Sequence, residues 1–285
     1  MRLLGPTPTH RPVVADLVQD AKVEYFAGAL AAGLASLGMV LAECDSLLHM
    51  NYKPGEAEGF TRRFEEEVHN NLLETQHLVN VCEVAGVEHI CFLSSALVYT
   101  PPREGAREDG AVGGGVPPYA LVKLLQESRL RQWARRSARP AALLRLTTVY
   151  GPGETVARAI PNFIRAALSG REAVVNRDLD ARFDPVYVDD VAEAIVTVLA
   201  RPAGGTFNIG TGRAWSPGQV AALVHRLCAG GAGGERRSEG IDFVRPVVDV
   251  SLAATILGFK AAVQLEAGLA EEIGWLRDTQ LRMTA

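Results

Sequence analysis

The chain contains Phe92-Leu93-Ser94-Ser95-Ala96-Leu97-Val98-Tyr99 and, further along, Tyr119-Ala120-Leu121-Val122-Lys123. The apolar run from His89 to Ser94 predicts a buried strand. The Ser95 hydroxyl is then expected at the strand's carboxyl end, where open α/β sheets hold their ligands. On a helix, Tyr119 and Lys123 share one face, and the ammonium is expected to lower the phenol's pKa from its usual value of about 10. The two segments predict a site where a phenol, an ammonium and a hydroxyl address one alcohol group.

The composition is typical of one compact protein of enzyme size. Its 285 residues are 48% apolar and 22% charged. Alternating strand and helix patterns predict an α/β fold with a doubly wound, parallel, Rossmann-like sheet and a smaller C-terminal lobe. The net charge of -4 gives no electrostatic reason to expect a nucleic-acid partner.

The cysteines show no spacing typical of a disulfide framework or a zinc site. They are Cys44, Cys82, Cys91 and Cys228. We therefore expect reduced thiols, a cytoplasmic protein and no bound metal.

One apolar segment, from Phe26 to Ala42, invites a comparison with membrane spans. Ser36 is its only polar residue apart from glycines, and it is shorter than the ~20 residues that a spanning helix needs. We expect a buried helix here and no membrane association. The first residues lack the apolar core of a signal peptide.

Further segments occur in a fixed order: Cys44-Asp45-Ser46-Leu47-Leu48-His49, Asn71 at the expected start of a helix, Arg145-Leu146-Thr147-Thr148-Val149-Tyr150-Gly151-Pro152-Gly153, Val186-Tyr187-Val188-Asp189-Asp190-Val191, Phe207-Asn208-Ile209-Gly210-Thr211-Gly212, and Leu257-Gly258-Phe259 with Leu265-Glu266-Ala267-Gly268-Leu269. With the two segments quoted first, they make the chain from Val23 to Trp275 resemble the extended short-chain dehydrogenase/reductase family, the NAD-dependent epimerases and dehydratases of nucleotide sugars. So many collinear matches make coincidence implausible.

The resemblance implies a division of roles among the catalytic and cofactor-side residues. Tyr119 would be the general base, Lys123 would hold the ribose hydroxyls, and Ser95 would bind the reacting oxygen. The cofactor implied is NAD or NADP, bound by four residues: Lys123, His49, Asn71 and Ser94.

The resemblance also implies a small-molecule substrate, a nucleotide sugar or a related polyol. The substrate-binding residues would be Ser95, Ala96, Thr148, Asn162, Arg182 and Arg245. Thr148 stands where the family has Asn, and Arg182 lies one residue before the usual Arg. Dehydratases carry Asp-Glu after the catalytic hydroxyl, so Ala96-Leu97 favours epimerisation or alcohol/ketone oxidoreduction.

The family's organisation implies a Rossmann-like core of residues 1–153 and 183–213, with a substrate lobe of residues 154–182 and 214–285. A helix running to Gly86, with Phe60, Phe64, Val68 and Leu72 on one stripe, would join the Tyr119 helix in the four-helix bundle of a homodimer.

Several cofactor-side positions depart from the family pattern. The family's Gly-x-x-Gly-x-x-Gly turn is absent; Arg2 to Leu4 resembles the second strand, Arg11 to Gln19 the next helix, and Val23 to Phe26 the third strand. The sheet is therefore expected to lack the first βα unit. Further departures are Gly28-Ala29-Leu30, His49-Met50-Asn51-Tyr52-Lys53 and Glu74-Thr75.

These departures leave two alternatives to a redox enzyme with a complete sequence. The first is a cofactor-free protein of the same fold, either a non-redox cyclase or isomerase or an inactive partner subunit. The second is a gene model that lacks its first βα unit, about 35 residues.

Overall fold

The structure is a computed structural model. It describes residues 2–5, 24–27, 34–101, 104–154, 156–171, 173–176, 181–228, 235–238 and 245–284. The helix expected from Arg11 to Gln19 lies outside these residues.

Strands and helices alternate along the described part of the chain. The strands are β1 (Arg2–Gly5), β2 (Glu24–Ala27), β3 (Ser46–His49), β4 (His89–Ser95), β5 (Glu104–Ala106), β6 (Ala141–Leu146), β7 (Thr148–Tyr150), β8 (Ala173–Asn176), β9 (Pro185–Tyr187), β10 (Gly205–Ile209), β11 (Glu235–Ser238) and β12 (Val247–Val248). The α-helices are α1 (Leu34–Leu41), α2 (Phe60–Glu67), α3 (Leu73–Ala85), α4 (Pro118–Ser137), α5 (Ala159–Leu168), α6 (Val188–Ala200), α7 (Pro217–Leu227), α8 (Ser251–Leu257) and α9 (Leu265–Thr284).

The largest sheet among the described residues has the strand order β10-β6-β4-β3. β3 and β4 are parallel, with Ser46 opposite His89 and His49 opposite Phe92. β1 and β2 form a second parallel pair, at the two strands expected near the N-terminus. Neighbouring strands that are not consecutive in the chain require crossover connections, so the predicted α/β fold with a parallel sheet is confirmed.

The strand expected before Ser95 is present as β4. Ile90, Cys91 and Phe92 are fully buried, as a central strand of a covered parallel sheet requires. The chain then turns through a short 3-10 helix, Ala96–Val98, whose first free N–H is capped by the Ser95 side chain. This turn ends the strand at the edge where ligands of such sheets bind.

The helix predicted to open at Asn71 begins earlier. α2 and α3 are joined by a π-helical turn, Val68–Leu72, and Asn71 lies inside that turn. The prediction of a helix start was therefore wrong, because the helical backbone begins at Phe60 and already includes Asn71. Gly86, in the left-handed conformation, ends α3 as expected.

The chain divides into two compact units. Unit 1 consists of Met1–Phe92, Pro117–Ala142 and Pro202–Gly205. Unit 2 consists of Leu93–Val116, Leu143–Arg201 and Thr206–Ala285. The proposed division into a Rossmann-like core and a substrate lobe stays a prediction.

Each unit has helices that pack on one another. In unit 1, α4 packs against α2 and α3, and its Ala120, Val122 and Trp133 are fully buried. In unit 2, α5, α7 and α9 enclose a cluster that includes Phe163, Val224 and Leu269. Burial of these apolar side chains is the main favourable term in the folding of either unit.

The apolar segment from Phe26 to Ala42 contains α1, which is eight residues long. Across the described ranges, no helix combines the length and the apolar character that crossing a bilayer demands.

Candidate active site around Tyr119 and Lys123

Tyr119 and Lys123 lie in the first turns of α4, which Pro117 and Pro118 start by fixing the backbone before the first helical bond. Tyr119 is half-buried, whereas Lys123 is only 3% exposed. The Lys123 Nζ atom lies 4.6 Å from the centre of the Phe92 ring, 4.9 Å from that of Tyr52 and 5.9 Å from that of Tyr119. The ammonium therefore sits within reach of three aromatic rings, a cation–π environment.

Burial lowers the pKa of Lys123 to about 7, against the opposing effect of the Glu127 carboxylate. Glu127 itself accepts a 2.7 Å hydrogen bond from Arg131. Lys123 can therefore gain or lose a proton near neutral pH, which an exposed lysine cannot do. A group with this property is suited to assist proton transfer.

His49, at the carboxyl end of β3, lies next to this cluster. Its ring centre is 5.2 Å from that of Phe92, and its Nε2 atom is 2.9 Å from the Thr75 hydroxyl oxygen. Because Thr75 donates its own proton to the Asn71 carbonyl, it accepts from His49, so Nε2 carries the proton. Burial and the Lys123 charge lower the pKa of His49 to about 3, and the imidazole is neutral at physiological pH.

Asn71 uses its side-chain amide to hold the backbone of Lys53. Its Oδ1 accepts from the Lys53 N–H at 2.7 Å, and its Nδ2 donates to the Lys53 carbonyl at 2.8 Å. The side chain is 2% exposed. The role in cofactor binding predicted for Asn71 stays a prediction, and the geometry shows in addition that this residue positions the segment after β3.

That segment, Asn51–Ala57, we call the strap, and sequence reasoning did not identify its function. Asn51 Nδ2 donates to both carboxylate oxygens of Glu74, at 2.8 and 2.9 Å. The backbone N–H groups of Glu56 and Ala57 each donate to Glu66 at 2.9 Å. Two of the departures from the family pattern, Asn51 and Glu74, thus bind each other. The sequence indicated only that Asn51 and Glu74 each deviate from the family pattern, not that they pair.

Ser94, Ser95 and Ala96 lie in unit 2 at the end of β4 and are all buried. The Ser95 Oγ atom accepts a 3.2 Å hydrogen bond from the Leu97 N–H, which leaves the Ser95 O–H able to donate. The structure thus holds the hydroxyl at a fixed position on the strand end. Tyr119 and Lys123 belong to unit 1, so the convergence of all three groups stays a prediction.

The predicted substrate-binding residues of unit 2 lie on different elements. Thr148 begins β7, where its N–H donates to the Asp184 carbonyl at 3.0 Å. Asn162 is exposed on α5, and its Oδ1 accepts from Arg165 at 3.4 Å. Arg182 is half-buried, and Arg245 is exposed and lies close enough to Glu154 to stabilise that carboxylate's charge. These positions leave the substrate roles open as predictions.

A buried carboxyl, Glu272 of α9, is a second feature that sequence reasoning missed. Its side chain is fully excluded from solvent. Burial, with the nearby Glu154 charge second, raises the pKa of Glu272 to about 8. The described residues contain no group of three or more His, Cys, Asp or Glu side chains placed to hold a metal ion.

The groups around Lys123 fit the ribose end of a dinucleotide. The ammonium carries three N–H donors, and the aromatic rings attract its charge through their faces. A phenol lies on the same helix face. Donors of this kind can bind the neighbouring hydroxyls of a ribose, and the role of Lys123 and Tyr119 in holding NAD stays a prediction.

Comparison with known proteins agrees with this chemistry. The family model described as the NAD dependent epimerase/dehydratase family matches residues 21–210. The chain is 26% identical over 286 residues to an uncharacterized UDP-glucose epimerase of Bacillus subtilis (strain 168), an alignment covering 96% of this chain and 87% of that protein. It is 32% identical over 222 residues to the UDP-glucose 4-epimerase of Mycolicibacterium smegmatis, covering 73% and 68% respectively.

Among solved structures, MoeE5 in complex with UDP-glucuronic acid and NAD matches with a TM-score of 0.80 at 30% identity, covering 90% of this chain and 86% of that one. The relatives and structural neighbours are NAD-dependent nucleotide-sugar epimerases and dehydratases, which are enzymes with a Rossmann fold. They do not favour the cofactor-free alternative. The resemblance seen in the sequence is confirmed, and the chain belongs to the NAD dependent epimerase/dehydratase family, within the extended short-chain dehydrogenases/reductases.

Proposed function

We propose that this protein is an NAD-dependent epimerase or alcohol/ketone oxidoreductase that acts on a nucleotide sugar. The observation that carries the proposal is the placement of the Tyr119 phenol and the buried Lys123 ammonium on one helix, with the pKa of Lys123 lowered to about 7. A phenol that can accept a proton, with a cation four residues away on the same helix face, is an arrangement suited to alcohol oxidation.

In this proposal the residues of the chain manage the proton and the position of the sugar. Bound NAD supplies the chemistry of accepting a hydride from the alcohol carbon and returning it. Tyr119 takes the alcohol proton, Lys123 lowers the pKa of that phenol and holds ribose hydroxyls, and Ser95 donates a hydrogen bond to the reacting oxygen. In an epimerase, these residues would let the sugar present its opposite face when the hydride is returned, which would give the epimer.

One feature of the sequence supports this reaction over the removal of water. Ala96 and Leu97 follow Ser95, and neither side chain can act as an acid or a base.

The substrate class is supported by relatives named for UDP-glucose and by MoeE5, which was solved with UDP-glucuronic acid and NAD. Arg182 and Arg245 would bind the diphosphate, because planar guanidinium groups pair well with phosphate oxygens. We propose NAD as the cofactor because it is the dinucleotide in that complex.

We also propose that two copies of the chain associate through α2, α3 and α4. Four large apolar side chains on these helices are exposed: Phe60 at 54%, Leu73 at 46%, Val84 at 90% and Leu125 at 39%. Apolar groups on neighbouring helices favour association when a second surface covers them. Size-exclusion chromatography with light scattering tests this proposal, and a purely monomeric protein would rule it out. A cytoplasmic location stays a prediction from the free thiols.

The test of the function is an assay of the whole chain with NAD and either UDP-glucose or UDP-glucuronic acid, with products identified by NMR. We expect an epimer or a keto sugar to form. The Tyr119→Phe variant should lose turnover while its circular dichroism stays unchanged. The control is Tyr187→Phe, because Tyr187 packs edge-on against Tyr150 in the core of unit 2. Full activity in Tyr119→Phe would show that the phenol is not the base.

A further inference from the structure

Tyr52 of the strap contacts both members of the candidate catalytic pair. Its ring packs edge-on against Tyr119, with 4.7 Å between ring centres and an angle of 74° between the planes. The Lys123 Nζ atom lies 4.9 Å from the centre of the same ring. Phe92 lies within reach of the ammonium as well, so aromatic carbon surrounds a cation that is 3% exposed.

The Tyr52 hydroxyl is fixed by a buried carboxylate. It donates a 2.5 Å hydrogen bond to Glu67 Oε2, and the Gly55 N–H donates to the other oxygen, Oε1, at 3.1 Å. Glu67 is 3% exposed. Burial, together with the hydrogen bond to Glu67 and the Glu67 charge, raises the pKa of Tyr52 above its usual value, so the phenol remains a donor throughout the physiological range. A charge-assisted bond of this length is among the stronger hydrogen bonds in proteins.

The rest of the strap is bound to the same helical segment. The Asn51 side chain bonds to Glu74, the Lys53 backbone to Asn71, and the backbone of Glu56 and Ala57 to Glu66. The strap's main chain is therefore fixed at both sides of Tyr52. For the Tyr52 side chain to move, the Glu67 bond must break, the ring must leave Tyr119 and Lys123, and χ angles must change, while the hydrogen bonds of the strap's main chain can stay in place.

This arrangement conflicts with the access that ribose binding needs. To bind ribose hydroxyls, the Lys123 N–H groups must be reachable by a ligand, yet Lys123 is 3% exposed, the ring of Tyr52 lies 4.9 Å from its Nζ atom, and the same ring packs against Tyr119. We propose that Tyr52 is a positioning residue that closes over Lys123 and Tyr119, is held closed by Glu67, and swings aside when the nicotinamide ribose of the dinucleotide enters. This inference rests on the proposed function, since it names what must move for that cofactor to bind.

The first test measures directly how strongly Tyr52 shields the Lys123 amine, and it needs no cofactor. The whole chain is treated with limiting acetic anhydride, and acetylation of Lys123 is quantified by peptide mass spectrometry, with the exposed Lys260 as an internal reference. Tyr52→Phe keeps the ring and removes the Glu67 bond, whereas Tyr52→Ala removes the ring. Glu65→Gln is the matched control, because Glu65 is an exposed residue of the same helix.

We expect acetylation of Lys123 relative to Lys260 to be slow in the wild type and in Glu65→Gln. It should rise several-fold in Tyr52→Phe and further in Tyr52→Ala. Equal acetylation ratios in all four proteins would overturn the inference. Tyr52→Phe is the conservative variant, so it still reports if Tyr52→Ala fails to fold.

The second test follows the association of NAD with the same four proteins by stopped-flow tryptophan fluorescence. We expect faster association in Tyr52→Phe and Tyr52→Ala than in the wild type and Glu65→Gln. Identical association rates in all four would overturn the inference and leave the proposed function intact. If no protein binds NAD while the acetylation ratio rises as expected, the covering role of Tyr52 stands as a structural fact, its role in cofactor entry is overturned, and the proposed function fails with it.

Discussion

The Lys123 ammonium lies 4.6 Å from the centre of the Phe92 ring, inside a shell of aromatic side chains and almost out of contact with water. Such a shell attracts a cation through the ring faces but replaces only part of its hydration. The loss of hydration outweighs the attraction, which is why the pKa of Lys123 falls to about 7. Phe92 is also the last residue of unit 1 on β4, so the strand supplies a wall of the site.

The lowered pKa of Lys123 predicts a specific dependence of stability on pH. Between about pH 7 and 10 the unfolded chain holds a proton on Lys123 that the folded chain has released, so the free energy of unfolding should rise with pH. The contribution approaches about 1.4 kcal/mol per pH unit at most. Urea denaturation of the wild type and Lys123→Met over this range should show the slope only in the wild type. If the free energy of unfolding depends on pH in the same way in both proteins, the pKa of Lys123 is not lowered by burial.

Glu272 predicts the opposite slope in unit 2. The pKa of Glu272 is raised to about 8, so the folded state holds a proton that the unfolded state releases above about pH 4.3. Stability from this group is complete below that pH and is lost as the pH rises towards 8. Relative to Glu272→Gln, which mimics the protonated form, the wild type should lose stability from pH 5 to 8. Glu271 is exposed, so the stability of Glu271→Gln should depend on pH as that of the wild type does. If Glu271→Gln loses this pH dependence, the dependence arises from Glu271 and not from Glu272.

Asp184 holds the turn after β10 through three donors. Its carboxylate accepts from the Thr211 N–H at 2.9 Å, the Thr211 hydroxyl at 2.5 Å and the Gly212 N–H at 2.9 Å, and its side chain is fully buried. Asp184→Ala leaves these donors unpaired, so we expect a loss of ~2–4 kcal/mol in the free energy of unfolding. Asp109→Ala, at an exposed surface pair, should cost less than about 0.5 kcal/mol. Similar losses in both variants would refute the role of Asp184.

Gly55 allows the close contact between the strap and α2. A Cβ atom there would lie 3.0 Å from Glu67 Cγ and 3.1 Å from the Arg63 carbonyl oxygen. Gly55→Ala should therefore destabilise the protein by about 1–3 kcal/mol and raise the acetylation of Lys123. Gly38→Ala is the matched control, because that helical glycine has open space around its Cβ position and should gain about 0.5–1 kcal/mol. If thermal denaturation shows a change in unfolding temperature of the same sign in both variants, the close packing at Gly55 is contradicted.

The sequence predicted the elements whose signals are local. The buried strand before Ser95 and the turn of helix that presents Tyr119 and Lys123 follow from an apolar run and a spacing of four. The start of a helix at Asn71 was predicted wrongly, because the helix begins at Phe60, and the Asn71 side chain instead bonds to Lys53 and to the Glu67 carbonyl. The helix continues through Asn71 since its neighbours keep helical backbone angles through the π-helical turn.

The strap shows where a single sequence is insufficient. Asn51, Tyr52 and Glu74 are visible as departures from the family pattern, but their pairing depends on how the segment after β3 lies along α2 and α3. Likewise, nothing near Lys123 in the sequence indicates that Tyr52 and Phe92 surround its ammonium. Contacts of this kind are made by the tertiary fold, and they decide the pKa of the lysine.

Calorimetric titration of the whole chain shows whether a dinucleotide binds beside Lys123 and Tyr119. NAD, NADH, NADP and NADPH are titrated in turn, and thermal unfolding is followed with each. We expect saturable heat and a raised unfolding temperature with NAD or NADH, both weakened in Lys123→Met. If none of the four produces heat or raises the unfolding temperature, no dinucleotide binds beside Lys123 and Tyr119.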